Sequence, residues 1–242
     1  DEEVRRFMHF INGFNQLFDG NNNEVIRNKY TEIKEFLANK KEGDMDNRDI
    51  LTIKGLIRRG EARTSCTFNQ IPLSRCHFLD LPFYETGKIE KNPISEADIE
   101  IVLKLLREVQ PHQIYVAGDL ADPHGTHRVC TDAVFAAVDA EKENGAEWLK
   151  ECRIWMYRGA WAEWEIENIE MAVPFSPEEL REKRNSILKH QSQMESAPFL
   201  GNDERLFWQR SEDRNRGTAS LYNQLGLACY EAMEAFVEYK PL

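Results

Sequence analysis

The chain has 242 residues, 41% of them hydrophobic, and carries 42 acidic against 31 basic side chains for a net charge of −11. That is enough apolar chain to build one substantial domain, so a single α/β domain over 1–242 is the expectation. The acidic balance, with no gathered basic stripe, argues against a nucleic-acid or anionic-membrane surface, and no apolar run reaches the roughly 18 residues of a membrane span.

In chain order, Val4, Phe7, Met8, Ile11, Phe14, Leu17 and Phe18 recur at helical spacing and predict an amphipathic helix over 2–18, closed by Asp19-Gly20. Two further helices are expected at about 24–40 and 47–59, separated by Glu42-Gly43-Asp44. The stretch CHFLDLPFYETG, 76–87, reads as a short strand leading into a loop. Ser95, with Asp98 three residues on, has the form of a capping box for a helix through Val109, which Pro111 ends. QIYVAGD, 113–119, is the β-branched and aromatic run of a buried parallel strand. A helix follows over 127–143, then strands over 152–158 and 168–174. Pro177 opens a helix running to about Met194, and a last helix is expected over 217–238. Strands separated by helices indicate a parallel or mixed sheet covered on both sides, the α/β class.

The stretch DPHGTHR, 122–128, stands where such folds bind ligands, beyond the carboxyl end of a strand and at the start of a helix. Its histidines, His124 and His127, suit a metal ligand and an oxyanion or proton partner. Asp119 and Asp122 are near enough in sequence to orient an imidazole. A histidine pair capping a surface helix is the structural alternative, since His-x-x-His is short and common. His9 and His112 read as surface or helix-end residues, His77 as a strand edge, and His190 as part of a helix face with Lys183, Ile187 and Met194.

Three tryptophans in WMYRGAWAEWEIEN either form a sugar-stacking platform or fill a core at a sheet edge. Arg158 within that stretch is a candidate contact for an anion or hydroxyl, and Arg58, Arg59 and Arg63 form a small basic group able to grip phosphate. The cysteines, Cys66, Cys76, Cys130, Cys152 and Cys229, are odd in number and contain no Cys-x-x-Cys pair. Reduced thiols in a cytoplasmic protein are expected, with Cys130 facing the core of its helix.

Taken together, YVAGDLADPHGTHRVCTDAVFAAV, WMYRGAW and PEELREKRNSILKHQSQ resemble the PIG-L/LmbE-like deacetylases, with IRRGEARTSC and LPFYETGKI placed as that family has an Arg/Glu-bearing helix and a loop at the mouth of its site. The resemblance runs from about residue 48 to 194 and is nearest to the LmbE-like portion fused behind a glucosamine-6-phosphate deaminase (isomerase)-like domain in some bacterial proteins. It implies a Rossmann-like three-layer sandwich and zinc-dependent hydrolysis of an N-acetyl amide in amino-sugar metabolism. His127 corresponds to a zinc ligand and His124 to the histidine that stabilises the oxyanion. Asp122 stands beside them as a catalytic candidate, and Glu85 and Arg158 as substrate contacts.

The family's other two zinc ligands and its general base come from an early His-Pro-Asp-Asp motif, and no His-Pro-Asp occurs in the 242 residues. The resemblance therefore implies a fragment lacking its first β-α-β unit, with zinc in the complete domain and none in this chain. The alternative is a non-catalytic interaction or oligomerisation module attached to the deaminase-like domain. The expected partner is a small amino sugar, without nucleic acid or membrane, and a homo-oligomer is compatible with the sequence.

Overall fold

The computed structural model describes residues 2–18, 23–41, 43–84, 92–118, 125–160, 162–194, 204–226 and 229–240. The chain divides into two compact units, one of residues 1–78 with 186–197, the other of residues 79–185 with 198–242.

The first unit is helical: α1 (Glu2–Leu17), α2 (Asn23–Asn39) and α3 (Arg48–Phe68). Phe14, Ile33, Ile50 and Ile53 form its buried centre, flanked by Phe10, Leu17, Phe18, Ile26, Phe36 and Ile57. The rings of Phe10, Phe14 and Phe18 follow one another at 5.7 and 4.7 Å, as the i, i+4 spacing of α1 dictates. Asn47 caps α3 by accepting the Ile50 amide at 3.0 Å.

Helix α3 runs nine residues beyond the expected end near 59 because its apparent breakers are accommodated. Gly60 has His9 against it, so close that a Cβ there would lie 2.9 Å from the imidazole Nδ1. Thr64 and Thr67 return their hydroxyls to the carbonyls of Gly60 and Arg63, four residues back. His9 is therefore packed between helices rather than at a helix end. Buried Glu61 is satisfied by the Ser192 amide and hydroxyl, each at 2.7 Å.

The second unit has the expected α/β class. Its elements are α4 (Glu96–Val109), β1 (Gln113–Ala117), α5 (Thr126–Glu143), β2 (Arg153–Tyr157), β3 (Met171–Phe175), α6 (Pro177–Ile187), α7 (Phe207–Gln224) and β4 (Ala232–Tyr239). The sheet order is β1-β2-β4-β3, with β1 parallel to β2 and β4 antiparallel to both of its neighbours. Side-chain alternation assigns the faces. Val116 and Ile154 pack with Val102, Leu103 and Leu106 of α4 and with Ala133, Ala137 and Val138 of α5. On the other face Glu234 of β4 meets Lys183 of α6 and Asn215 of α7. Helices therefore cover both faces, and the unit is a three-layer sandwich.

The capping box at α4 forms: Asp98, fully buried, accepts the Ser95 amide and hydroxyl at 2.8 and 2.5 Å and the Phe83 amide at 2.8 Å. Burial opposes ionisation of Asp98, but these donors outweigh it and hold the carboxyl below its ordinary range.

Three expectations fail. Residues 76–84 form no strand; a 3-10 turn, Leu73–Arg75, and irregular chain take their place, so His77 lies exposed and off any sheet edge. The helix from Pro177 stops at Ile187, and His190 precedes a separate 3-10 turn, Gln191–Gln193, so it shares no continuous face with Lys183. The expected helix over 217–238 is instead the end of α7 and the strand β4.

That last error has a physical origin. The inward stripe of α7 is mostly polar (Ser211, Glu212, Asn215, Thr218, Ala219), so no apolar period marks where the helix begins. Strand β4 is rich in Ala, Met and Glu, good helix formers, and is a strand because it is hydrogen-bonded between β2 and β3. Pro174 in β3 is tolerated because β3 lies at the sheet edge.

Candidate functional site

The site lies beyond the carboxyl ends of β1 and β2. Thr131, on the second turn of α5, donates its hydroxyl to the Ala117 carbonyl at 2.7 Å and fixes the helix to the end of β1. His127 is the second residue of α5 and is exposed there. Gly125, the residue before the helix, has φ of 66°, a left-handed conformation that glycine adopts without strain.

Gly118 is buried directly after β1 and donates its amide to Tyr157 at 2.7 Å, which continues the ladder by one residue. A Cβ on Gly118 would lie 2.6 Å from the Trp164 ring and 2.8 Å from the Met156 Cβ. The indole of Trp164 thus enters space that only glycine leaves open, and its Nε1 donates to the Met156 carbonyl at 3.3 Å. The Arg158 guanidinium lies 4.0 Å from the Trp164 ring centre. Of the tryptophans, Trp155 is buried core, Trp164 is the support for Arg158, and Trp161 lies outside the described residues.

Next to Trp164 in the chain, Glu163 belongs to a network of half-buried charge. Glu163 accepts Arg214 Nη1 at 2.8 Å and the Thr218 hydroxyl at 2.6 Å, while Arg214 Nη2 also donates to Glu234. Glu234 accepts Lys183 Nζ at 2.5 Å and Asn215 Nδ2 at 3.2 Å, and Lys183 donates to Asn215 at 2.6 Å. Burial resists the charge on Glu234, but Lys183 and Arg214 overcome it and hold the carboxyl below its usual range. Burial draws the Lys183 ammonium down, against the pull of Glu234. Burial also raises the Tyr157 hydroxyl, with Glu234 and Cys130 adding to the shift, so the phenol remains a proton donor at neutral pH.

Of the residues expected at the site, His127 and Arg158 occupy the carboxyl ends of the strands, while Glu85, Asp122 and His124, together with Asp119, lie outside the described residues. Cys130 is exposed rather than turned into the helix packing, a correction that follows from its place on the outer side of the first turns of α5. In the first unit, Arg59 and Arg63 lie over the Phe78 ring at 5.4 and 5.2 Å. Sequence reading did not find Glu163, Lys183, Arg214 and Glu234 as a set. Their spacing carries no motif, and the misreading of β4 hid the strand that presents Glu234.

Among the described residues, no group of three or more His, Cys, Asp or Glu is placed to hold a metal ion. His127 is a single imidazole, whereas a catalytic zinc takes three protein ligands and an open position. The described donor set therefore does not fit a zinc ion.

No protein-family profile matches the chain. Over all 242 residues it is 83% identical to a glucosamine-6-phosphate deaminase-like protein of Bacteroides thetaiotaomicron. The chain is homologous to that part of the protein. It spans 36% of the length of this relative, whose name states a likeness rather than an activity. A crystal structure of a deacetylase from the teicoplanin biosynthesis pathway aligns with 81% of this chain and 76% of its own, at 16% identity and a TM-score of 0.44. That likeness is too distant to carry an argument about chemistry. Among the described residues no helix is long and apolar enough to cross a membrane.

Proposed function

We propose that the chain is one part of an LmbE-like amide hydrolase that acts on an N-acetylated amino sugar within a longer, cytoplasmic protein of amino-sugar metabolism. The observation that carries this reading is the position of β1. An edge strand presents unpaired backbone N–H and C=O groups that a further strand can take up, and among the described residues no strand pairs with the outer side of β1, while His127 and Arg158 stand at the carboxyl ends of β1 and β2. In this reading an opening β-α-β segment of the longer protein pairs along β1 and brings the remaining metal ligands and the general base to His127.

The roles of this chain's own residues follow from their chemistry. Arg158, held against Trp164, orients a hydroxyl or phosphate of the sugar. His127, exposed in the first turn of α5, is the imidazole offered to the incoming segment. The phenol of Tyr157, the last residue of β2, is a further hydrogen-bond donor at this end of the sheet. With one described imidazole, no step is routed through zinc from this chain alone.

The test compares the 242-residue chain with the full-length protein, reading bound zinc by atomic absorption and acetate released from N-acetylglucosamine 6-phosphate. The expected result is stoichiometric zinc and acetate release in the full-length protein, both lost in His127→Ala. Stoichiometric zinc in the short chain would remove the need for a second segment. Acetate release that survives His127→Ala would remove the role of this site, and full-length protein that binds no zinc and releases no acetate would leave the non-catalytic module as the reading.

A further inference from the structure

We infer that Cys66 and Cys76 form a dithiol modification site, convertible to a disulfide by a low-molecular-weight disulfide of the glutathione type. Cys66 stands in the last turn of α3, and the chain then reverses through Asn69 and Gln70, the latter with φ of 60°. Ile71 returns its amide to the Cys66 carbonyl at 2.9 Å, and the 3-10 turn Leu73–Arg75 ends with the Cys76 amide on Leu73 at 3.1 Å. These bonds deliver Cys76 back onto the helix end, where the two sulfur atoms lie 3.7 Å apart. Both residues are half-buried, so the pair is shielded but reachable.

A disulfide bond is about 2.0 Å long, so closure needs the sulfurs to approach by about 1.7 Å. Rotation about the two Cα–Cβ bonds can supply such a movement while the turn stays in place. Cys130 and Cys229 are exposed thiols, which makes them internal controls for access of the reagent.

The chemistry balances as an exchange. One protein thiolate attacks the glutathione disulfide, forming a mixed disulfide and releasing one glutathione thiolate. The second protein thiolate then attacks the protein sulfur of that mixed bond and releases the second. Two protein thiols are oxidised, one glutathione disulfide is reduced, and the two protons the protein thiols give up are taken by the two glutathione thiolates, leaving two glutathiones. Burial and the neighbouring sulfur both push the Cys66 thiol up, so attack by Cys66 itself accelerates as pH rises.

The experiment incubates the native 242-residue protein with oxidised glutathione, blocks the remaining thiols and maps tryptic peptides by mass. Trypsin cuts after Arg63, Arg75 and Lys88, which places the two cysteines on separate peptides. The expected product joins peptide 64–75 to peptide 76–88 by a bond that dithiothreitol reverses, while Cys130 and Cys229 carry glutathione. In Cys76→Ser, Cys66 should retain a trapped glutathione that the unaltered protein does not accumulate. The inference is overturned if Cys66 and Cys76 stay reduced in the native protein while Cys130 and Cys229 react. Separate glutathione adducts on Cys66 and Cys76 would overturn it as well.

Discussion

At Gly118 a single missing methyl group decides how the candidate site is built. The Trp164 indole and the Met156 Cβ converge on the point where any other residue would carry its Cβ. Gly118→Ala is expected to destabilise the second unit by about 1–3 kcal/mol, measured by urea unfolding, and to shift the Arg158–Trp164 stack, measured as a change in tryptophan fluorescence. Unchanged stability and emission would show that the indole can move aside at no cost.

Asp98 makes the same point for a charge. Its carboxylate accepts three donors from Ser95 and Phe83, and Asp98→Ala should cost about 2 kcal/mol by removing a helix cap and leaving a buried amide unsatisfied. The sign with pH is fixed: the folded-state pKa lies below the ordinary value of 3.8, so the contribution is complete above that value and is lost as pH falls through the folded one. Denaturation midpoints of wild type and Asp98→Ala should therefore converge in strong acid and separate at neutral pH. At this scale the sequence was readable: Ser95 and Asp98 stand at capping-box spacing, and the structure makes those bonds.

At the scale of elements, α6, α7 and β4 are held to one another by charge as well as by apolar contact. Glu234 accepts from Lys183, Arg214 and Asn215, so Glu234→Gln leaves two half-buried cations with reduced compensation. A loss of about 3 kcal/mol is expected, read as a lowered thermal midpoint. Lys183→Met should recover part of that loss in the double variant, because it removes one of the stranded cations. A double variant as unstable as the sum of the two single ones would show that Lys183 and Glu234 do not act together.

These elements were also the least legible. Strands β1 and β2 carry β-branched and aromatic runs, and α4 and α5 carry apolar periods, so each was found within a residue or two. Helix α7 hides its inward face behind polar residues that the ion network satisfies. Strand β4, AMEAFVEY, has the composition of a helix.

For the molecule as a whole, the sheet and the candidate site pose one question. Among the described residues parallel β1 stands at an edge of the sheet, and the site has one imidazole where zinc chemistry takes three protein ligands. A single cause, a segment of the longer protein that pairs along β1, would account for both. The comparison of short and full-length protein tests that cause through zinc and acetate together, and loss of both in His127→Ala ties them to one place.

By itself the sequence determined the α/β class, the helices and strands whose burial follows a simple apolar period, and the position of His127 and Arg158 at the ends of strands, because each of these is encoded in neighbouring residues. Only the tertiary structure decided that residues 232–239 are a strand, that Glu163, Lys183, Arg214 and Glu234 form one network, that Gly118 makes room for Trp164, and that Cys66 meets Cys76. Each of those depends on residues brought together from separate segments of chain, and local propensity carries no record of the partner.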